Sequence, residues 1–156
     1  PELRSGVRYR GRAGSADDVE RYMSQEYTAT STDGGIVPVA RAGQHPRYYG
    51  TYPHKIATYV REKGLITLPF FVRSSTGLPA QIVGLPDRGL IRPGQAADLV
   101  LFDYDRVQDH ATILNPGGHN DGIEFVFVNG VAVVDAGVVT GALPGVAVKR
   151  HEVRPR

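Results

Sequence analysis

Cysteine and tryptophan are both absent from this 156-residue chain, and methionine occurs once, at Met23. Without cysteine there is no disulfide framework, no thiolate nucleophile and no thiolate metal ligand. Long apolar runs are missing too. No stretch approaches the roughly 20 residues of a bilayer-spanning helix, and the N-terminus carries no signal-peptide core. Cytoplasmic residence is the default expectation. The chain also lacks a strong charge of either sign: 18 basic side chains against 16 acidic ones leave +2. That excess is too small to argue for nucleic acid or an anionic membrane as a partner. Arginines gather at the two ends (Arg4, Arg8, Arg10 and Arg12, then Arg150, Arg154 and Arg156), where solvated termini are the simpler reading than a polyanion-binding tail.

What is present describes one ordinary globular domain, or one and a half, long enough to bury a core: 41% of residues are hydrophobic and 22% charged. Residues 1–14 are Gly- and Arg-rich and read as a loop or arm. "SADDVERYMSQ" opens a helix, with Ser15 as its cap, Asp18 at the capping-box position, and Val19, Tyr22 and Met23 on one apolar face. "YTATS" (27–31) has the composition of a short buried parallel strand. "YPHKIATYVREKG" (52–64) is a helix with Pro53 in its first turn, Ile56, Tyr59 and Val60 on one face, and Gly64 at its end. "TLPFFVRSST" and "LPAQIVGL" predict two further short helices separated by Gly77.

From Gly89 the hydrophobic period changes. A turn at Arg92-Pro93-Gly94 delivers the chain into a buried strand, Asp98 to Asp103. "GIEFVFVNGVAVVDAGVVTG" then reads as a β-hairpin turning at Asn129-Gly130, the pair a type I′ turn requires. The fold class expected is therefore α/β followed by all-β, with the composition shifting near residue 86.

Asp33, in "STDGG", is the first candidate for chemistry. At the C-terminal end of a strand in an α/β architecture a side chain faces the ligand site, and an acid there can carry a proton or hold a metal-bound water. Gly34 and Gly35 let backbone approach closely. An Asx-turn or helix-capping aspartate fits the same residues. In "QHPRYYG", Pro46 extends the backbone at His45, and Arg47 brings a planar donor fork suited to a carboxylate, or to tying down a long loop. The five histidines (His45, His54, His110, His119 and His151) show no H-x-H, H-E-x-x-H or i, i+4 spacing, so they compose no metal motif. There is no nucleophile elbow, P-loop or dinucleotide fingerprint. Asp98 reads as a hydrogen-bonded turn acid rather than a catalytic one.

"STDGG", "HPRYYGTYP", "KIATYVREKGLITL", "STGLPAQIVGLPDRGLIRPGQAADLVLFD" and "NPGGHNDGIEFVFVNGVAVVDAGVVTGALPGVAVKR" run in the order found in a known family. Together they resemble the C-terminal portion of the N-acyl-D-amino-acid deacylases, the D-aminoacylase branch of the amidohydrolase superfamily, over roughly residues 15–150. The resemblance implies the last helix–strand–helix unit of a metal-dependent (β/α)₈ barrel with its following helices in residues 1–86. It implies the C-terminal strands of a small β-sandwich domain in 87–156. It implies zinc in the complete enzyme, with Asp33 beside it as ligand and proton carrier between attacking water and leaving amine. Arg47 is implied to grip the α-carboxylate of an N-acyl-D-amino acid.

The superfamily's other metal ligands, an H-x-H pair, a bridging cysteine or modified lysine and two later histidines, have no counterpart here. They are expected outside this chain. Three expectations follow for these residues alone: no zinc bound, no activity, and either a homo-oligomer or docking of the missing N-terminal segment. The alternative reading is a truncated, non-catalytic homologue serving as a β-rich binding or structural module.

Overall fold

Ser15 opens the first helix of the computed structural model, which describes residues 14–35 and 44–149. The expected N-terminal arm, both arginine-rich ends, His151 and the middle of the loop after Asp33 lie outside those residues. The Ser15 hydroxyl accepts from the Asp18 N–H at 3.1 Å, and the Ser15 N–H donates back to the Asp18 carboxylate at 3.4 Å. This is the reciprocal capping box read from the sequence, and it starts α1, Ala16–Met23. Only part of the predicted apolar face is used. Val19 and Tyr22 remain exposed, while Met23 packs on the core.

The strand expected at 27–31 does not form, and with it goes the helix–strand–helix unit within the described residues. A strand exists through hydrogen-bonded neighbours, and among the described residues none runs beside this stretch. The Thr30 N–H donates instead to the Ser74 carbonyl at 2.7 Å, tying the segment to a helix.

The next helix begins earlier than predicted and changes geometry midway. α2 spans Arg47–His54, with Pro53 inside it rather than in its first turn. Proline has no N–H to give to the carbonyl four residues back, and its ring crowds that carbonyl. Directly beyond it the chain continues as a π-helical segment, Lys55–Glu62, closed by the Lys63 N–H on the Thr58 carbonyl at 2.9 Å. Three successive residues of an α-helix fan over roughly 200°. In the wider π turn Lys55, Ile56 and Ala57 are all buried, followed by Val60.

α3 (Leu68–Ser75) is capped by the Thr67 hydroxyl, which accepts from the Phe70 N–H, and α4 (Gly77–Val83) follows after a break at Thr76. Four antiparallel strands in chain order make the sheet: β1 Leu99–Phe102, β2 Ile123–Val128, β3 Val131–Asp135 and β4 Val138–Val139. Asn129 and Gly130 join β2 to β3 with φ of 49° and 79°, the left-handed pair of a type I′ turn. β1 differs from expectation in burial. It is an edge strand, and Val100 and Leu101 are about half exposed.

One cluster joins the helices to the sheet. Ile56, Val60, Ile66, Phe71 and Val107 are buried together, with Phe102 and Ile123 packed against them. Burying such a side chain stabilises by about 1.5–3 kcal/mol. Arg61 fastens the long β1–β2 connection to the π segment: its Nη1 donates to the Tyr104, Asp105 and Val107 carbonyls at 2.8, 3.2 and 3.0 Å, and its Nη2 to Gln108 Oε1 at 3.1 Å.

Candidate functional site

Asp33 and Arg47, singled out separately in the sequence, meet. Arg47 Nη2 lies 2.7 Å from Asp33 Oδ2. Neither stands where it was expected. Asp33 ends no strand but sits in the left-handed region at φ 45°, a conformation aspartate tolerates better than most residues. Arg47 is not on a loop but is the first residue of α2.

Local chemistry brings the two segments together. The Gly34 N–H donates to Thr32 Oγ1 at 2.9 Å, folding the chain tightly after Thr32. A Cβ on Gly34 would stand 3.1 Å from that hydroxyl and 3.4 Å from the Arg47 carbonyl, and one on Gly35 would stand 3.1 Å from the Tyr48 ring. Side chains at either position would push the Asp33 turn away from the helix start. On the other side, His45 Nδ1 accepts from the Arg47 N–H at 3.1 Å, and the Thr51 hydroxyl donates to the Arg47 carbonyl at 2.8 Å. Asn120 Nδ2 donates to the Tyr49 carbonyl at 2.8 Å, which seats α2 on the β1–β2 connection.

The pair is open to ligand. The Asp33 carboxylate is 84% exposed and the Arg47 side chain 39%. Arg47 Nε is buried without an acceptor among the described residues, so the guanidinium fork is only partly used. Chemically the arrangement offers one carboxylate able to take a proton and one cation able to hold an anion, side by side.

Beyond His45, two histidines pair with acids elsewhere. His54 Nδ1 lies 3.2 Å from Asp109 Oδ1, and His110 Nε2 lies 2.7 Å from Asp121 Oδ2. Among the described residues no group of three or more His, Cys, Asp or Glu side chains could hold a metal ion. Asp98 is the turn acid expected: its Oδ1 accepts from the Asn129 N–H at 2.8 Å, and its Oδ2 pairs with Arg88. Lys55, which the sequence pattern does not single out, is buried against Thr30 and Ser74.

A family match spans residues 9–134 and is to the amidohydrolase family. This chain belongs to that family. Among amidohydrolase relatives it is 43% identical over 125 residues to an N-acyl-D-aspartate deacylase of Alcaligenes xylosoxydans xylosoxydans, covering 80% of this chain and 24% of that protein. A crystal structure of a D-aminoacylase superposes with a TM-score of 0.76 at 39% identity, over 82% of this chain and 26% of that one. The N-acyl-D-glutamate deacylase of Bordetella bronchiseptica, solved with zinc and a phosphonate mimic of the tetrahedral intermediate, gives 0.69 at 39% identity, over 75% of this chain and 24% of that one. The resemblance to the D-aminoacylase branch is thus borne out. The chain spans roughly a quarter of the length of the amidohydrolases it matches. No helix among the described residues is long and apolar enough to cross a membrane.

Proposed function

We propose that these residues are the C-terminal portion of a zinc-dependent hydrolase that cleaves the amide bond of N-acyl-D-amino acids. In this reading residues 1–86 complete the barrel and residues 87–156 the small β-domain. The observation that carries the proposal is the Asp33–Arg47 pair, set against the Gly34-Gly35 turn and open to ligand. Arg47 holds the substrate α-carboxylate in its fork. Asp33 accepts a proton from the attacking water and returns it to the leaving amine nitrogen, so that amide and water become carboxylic acid and amine.

A catalytic zinc takes about three protein ligands, and Asp33 supplies one oxygen. The described residues do not make up that centre, so its remaining ligands are assigned to chain outside them and no step is routed through the metal here. The exposed edge of β1 and exposed apolar side chains such as Ile91, Leu114 and Leu143 fit a surface covered by the rest of the enzyme or by a second copy.

The test is Asp33→Asn in the complete enzyme, assayed on N-acyl-D-amino acids. kcat is expected to fall by about two to four orders of magnitude with KM nearly unchanged. Wild-type turnover by this variant would remove Asp33 from the reaction.

A further inference from the structure

Among the described residues, Lys55 is a buried cation without a buried anion. It is 7% exposed, its Nζ donates to Thr30 Oγ1 at 2.7 Å and to Ser74 Oγ at 3.3 Å, and it lies 5.9 Å from the centre of the Phe71 ring. No ion pair joins it to an acid among the described residues. Burial of an ammonium on hydroxyls alone is costly, and no fold requirement explains it, since methionine would fill the same volume. The arrangement is nevertheless elaborate. The Ser75 hydroxyl also donates to Thr30 Oγ1 at 3.1 Å, the Ser74 hydroxyl donates to the Phe71 carbonyl at 3.0 Å, and the Thr30 N–H donates to the Ser74 carbonyl at 2.7 Å. Thr30 is therefore gripped at backbone and side chain from two helical elements, three residues before Asp33.

We infer that Lys55 is a positioning residue that clamps Thr30 and thereby sets where the Thr30–Asp33 segment, and with it the Asp33 carboxylate, stands relative to Arg47. The π-helical segment is the device that makes this possible, because its wide turn carries Lys55 inward beside Ile56 and Ala57. A charged donor gives a shorter and stronger bond than a neutral one, which suits an anchor for a stretch that no strand among the described residues holds. The catalytic half of the inference rests on the proposed role of Asp33; the anchoring half does not.

The experiment uses the complete enzyme with Lys55→Met, Lys55→Arg, Thr30→Val and Asp33→Asn. Lys55→Met and Thr30→Val are each expected to lower kcat by about 10- to 100-fold, the effect of misplacing a reacting group by an ångström or so. KM should move less than about threefold in both. The melting temperature of Lys55→Met should hold or rise, since an apolar replacement of a buried charge is often neutral or stabilising, whereas Thr30→Val strips the buried ammonium of its 2.7 Å acceptor and should lower it. The double variant should be no worse than the worse single one, as expected for two residues acting through one contact. Lys55→Arg should recover part of the loss. Amide hydrogen exchange over residues 28–35 should speed up in Lys55→Met and Thr30→Val but not in Asp33→Asn.

Unchanged kcat and unchanged exchange in Lys55→Met would overturn the inference. So would a loss of activity in Lys55→Met that tracks a collapse in its melting temperature or falls equally on KM. If Asp33→Asn is fully active, the proposed role of Asp33 fails, and the exchange measurement still decides whether Lys55 anchors the segment.

Discussion

Arg88 Nη2 donates to Asn129 Oδ1 at 3.2 Å, joining residues 41 positions apart. The contact ties the stretch before the Pro93-Gly94 turn to the tip of the β2–β3 hairpin. Asp98 completes the knot, pairing with Arg88 through one carboxylate oxygen and accepting the Asn129 N–H through the other. The Gly130 N–H closes it on the Ala97 carbonyl at 2.9 Å. Arg88→Met should therefore destabilise the protein by about 2 kcal/mol, the range for hydrogen bonds to charged groups. Urea unfolding would measure it. Asn129→Gly keeps the left-handed turn and loses only two neutral or singly charged side-chain contacts, with Arg88 and with the Pro144 carbonyl at 2.8 Å, while the Arg88–Asp98 pair stays, so it should be milder.

Arg47→Ala, in the complete enzyme, should mainly raise KM for N-acyl-D-amino acids. The lost carboxylate contact is worth about 1.5–3 kcal/mol, or roughly 10- to 150-fold in kcat/KM. Steady-state kinetics against an N-acyl amine that lacks the α-carboxylate is the control, since that compound should not distinguish the variant from wild type.

Lys55 also predicts a pH dependence of stability. Burial pushes its ammonium below the ordinary 10.5. Between that lowered value and 10.5 the unfolded chain binds more protons than the folded one, so the Lys55 contribution to stability rises with pH across this window. Below the window the charged, buried amine imposes its full penalty; above 10.5 the penalty is gone. The stability advantage of Lys55→Met over wild type should accordingly shrink as pH rises toward 10.5. Unfolding midpoints of the two proteins, measured side by side on the alkaline side of neutrality, give the comparison.

Gly118 predicts a steric effect. A Cβ there would stand 2.3 Å from the His110 carbonyl oxygen and 2.9 Å from the Ala111 nitrogen, all backbone. Gly118→Ala should destabilise by about 1–3 kcal/mol, the usual result of overpacking. At Gly145 nothing lies within 4 Å of such a Cβ, so Gly145→Ala should be neutral or stabilise by up to about 1 kcal/mol. Thermal unfolding of both variants makes the test.

Local signals were the legible ones. Ser15 with Asp18, and Asn129-Gly130, each act over three or four residues, and each does in space what its chemistry implied. Asp98 was legible as a turn acid for the same reason. The strand at 27–31 was not, because strand composition expresses itself only beside a partner, and Thr30 binds a helix carbonyl instead. The start of α2 was misplaced because Pro53 reads as a beginning, whereas it falls where α geometry gives way to π geometry. As to the site, Asp33 and Arg47 could be named from their residue types and neighbours. Their meeting at 2.7 Å could not, since it depends on how Gly34 and Gly35 let two segments close. Lys55 left no trace in the hydrophobic period, which places charges on the solvent side by default.

The π-helical segment Lys55–Glu62 has a bearing on how this part of the chain tolerates change in length. Bonds spanning five residues instead of four hold slack equivalent to one residue. Removing a single residue there, such as the partly exposed Thr58, would let the helix tighten into ordinary α geometry without breaking its bonding. Everything upstream, from Arg47 to Lys55, would then turn against everything downstream, though by less than the about 100° of one α-helical residue, because the wider π turn winds each residue through less. Arg47 would swing away from Asp33 and Lys55 away from Thr30 together. Chains of this kind that lack the spare residue should have lost both contacts at once.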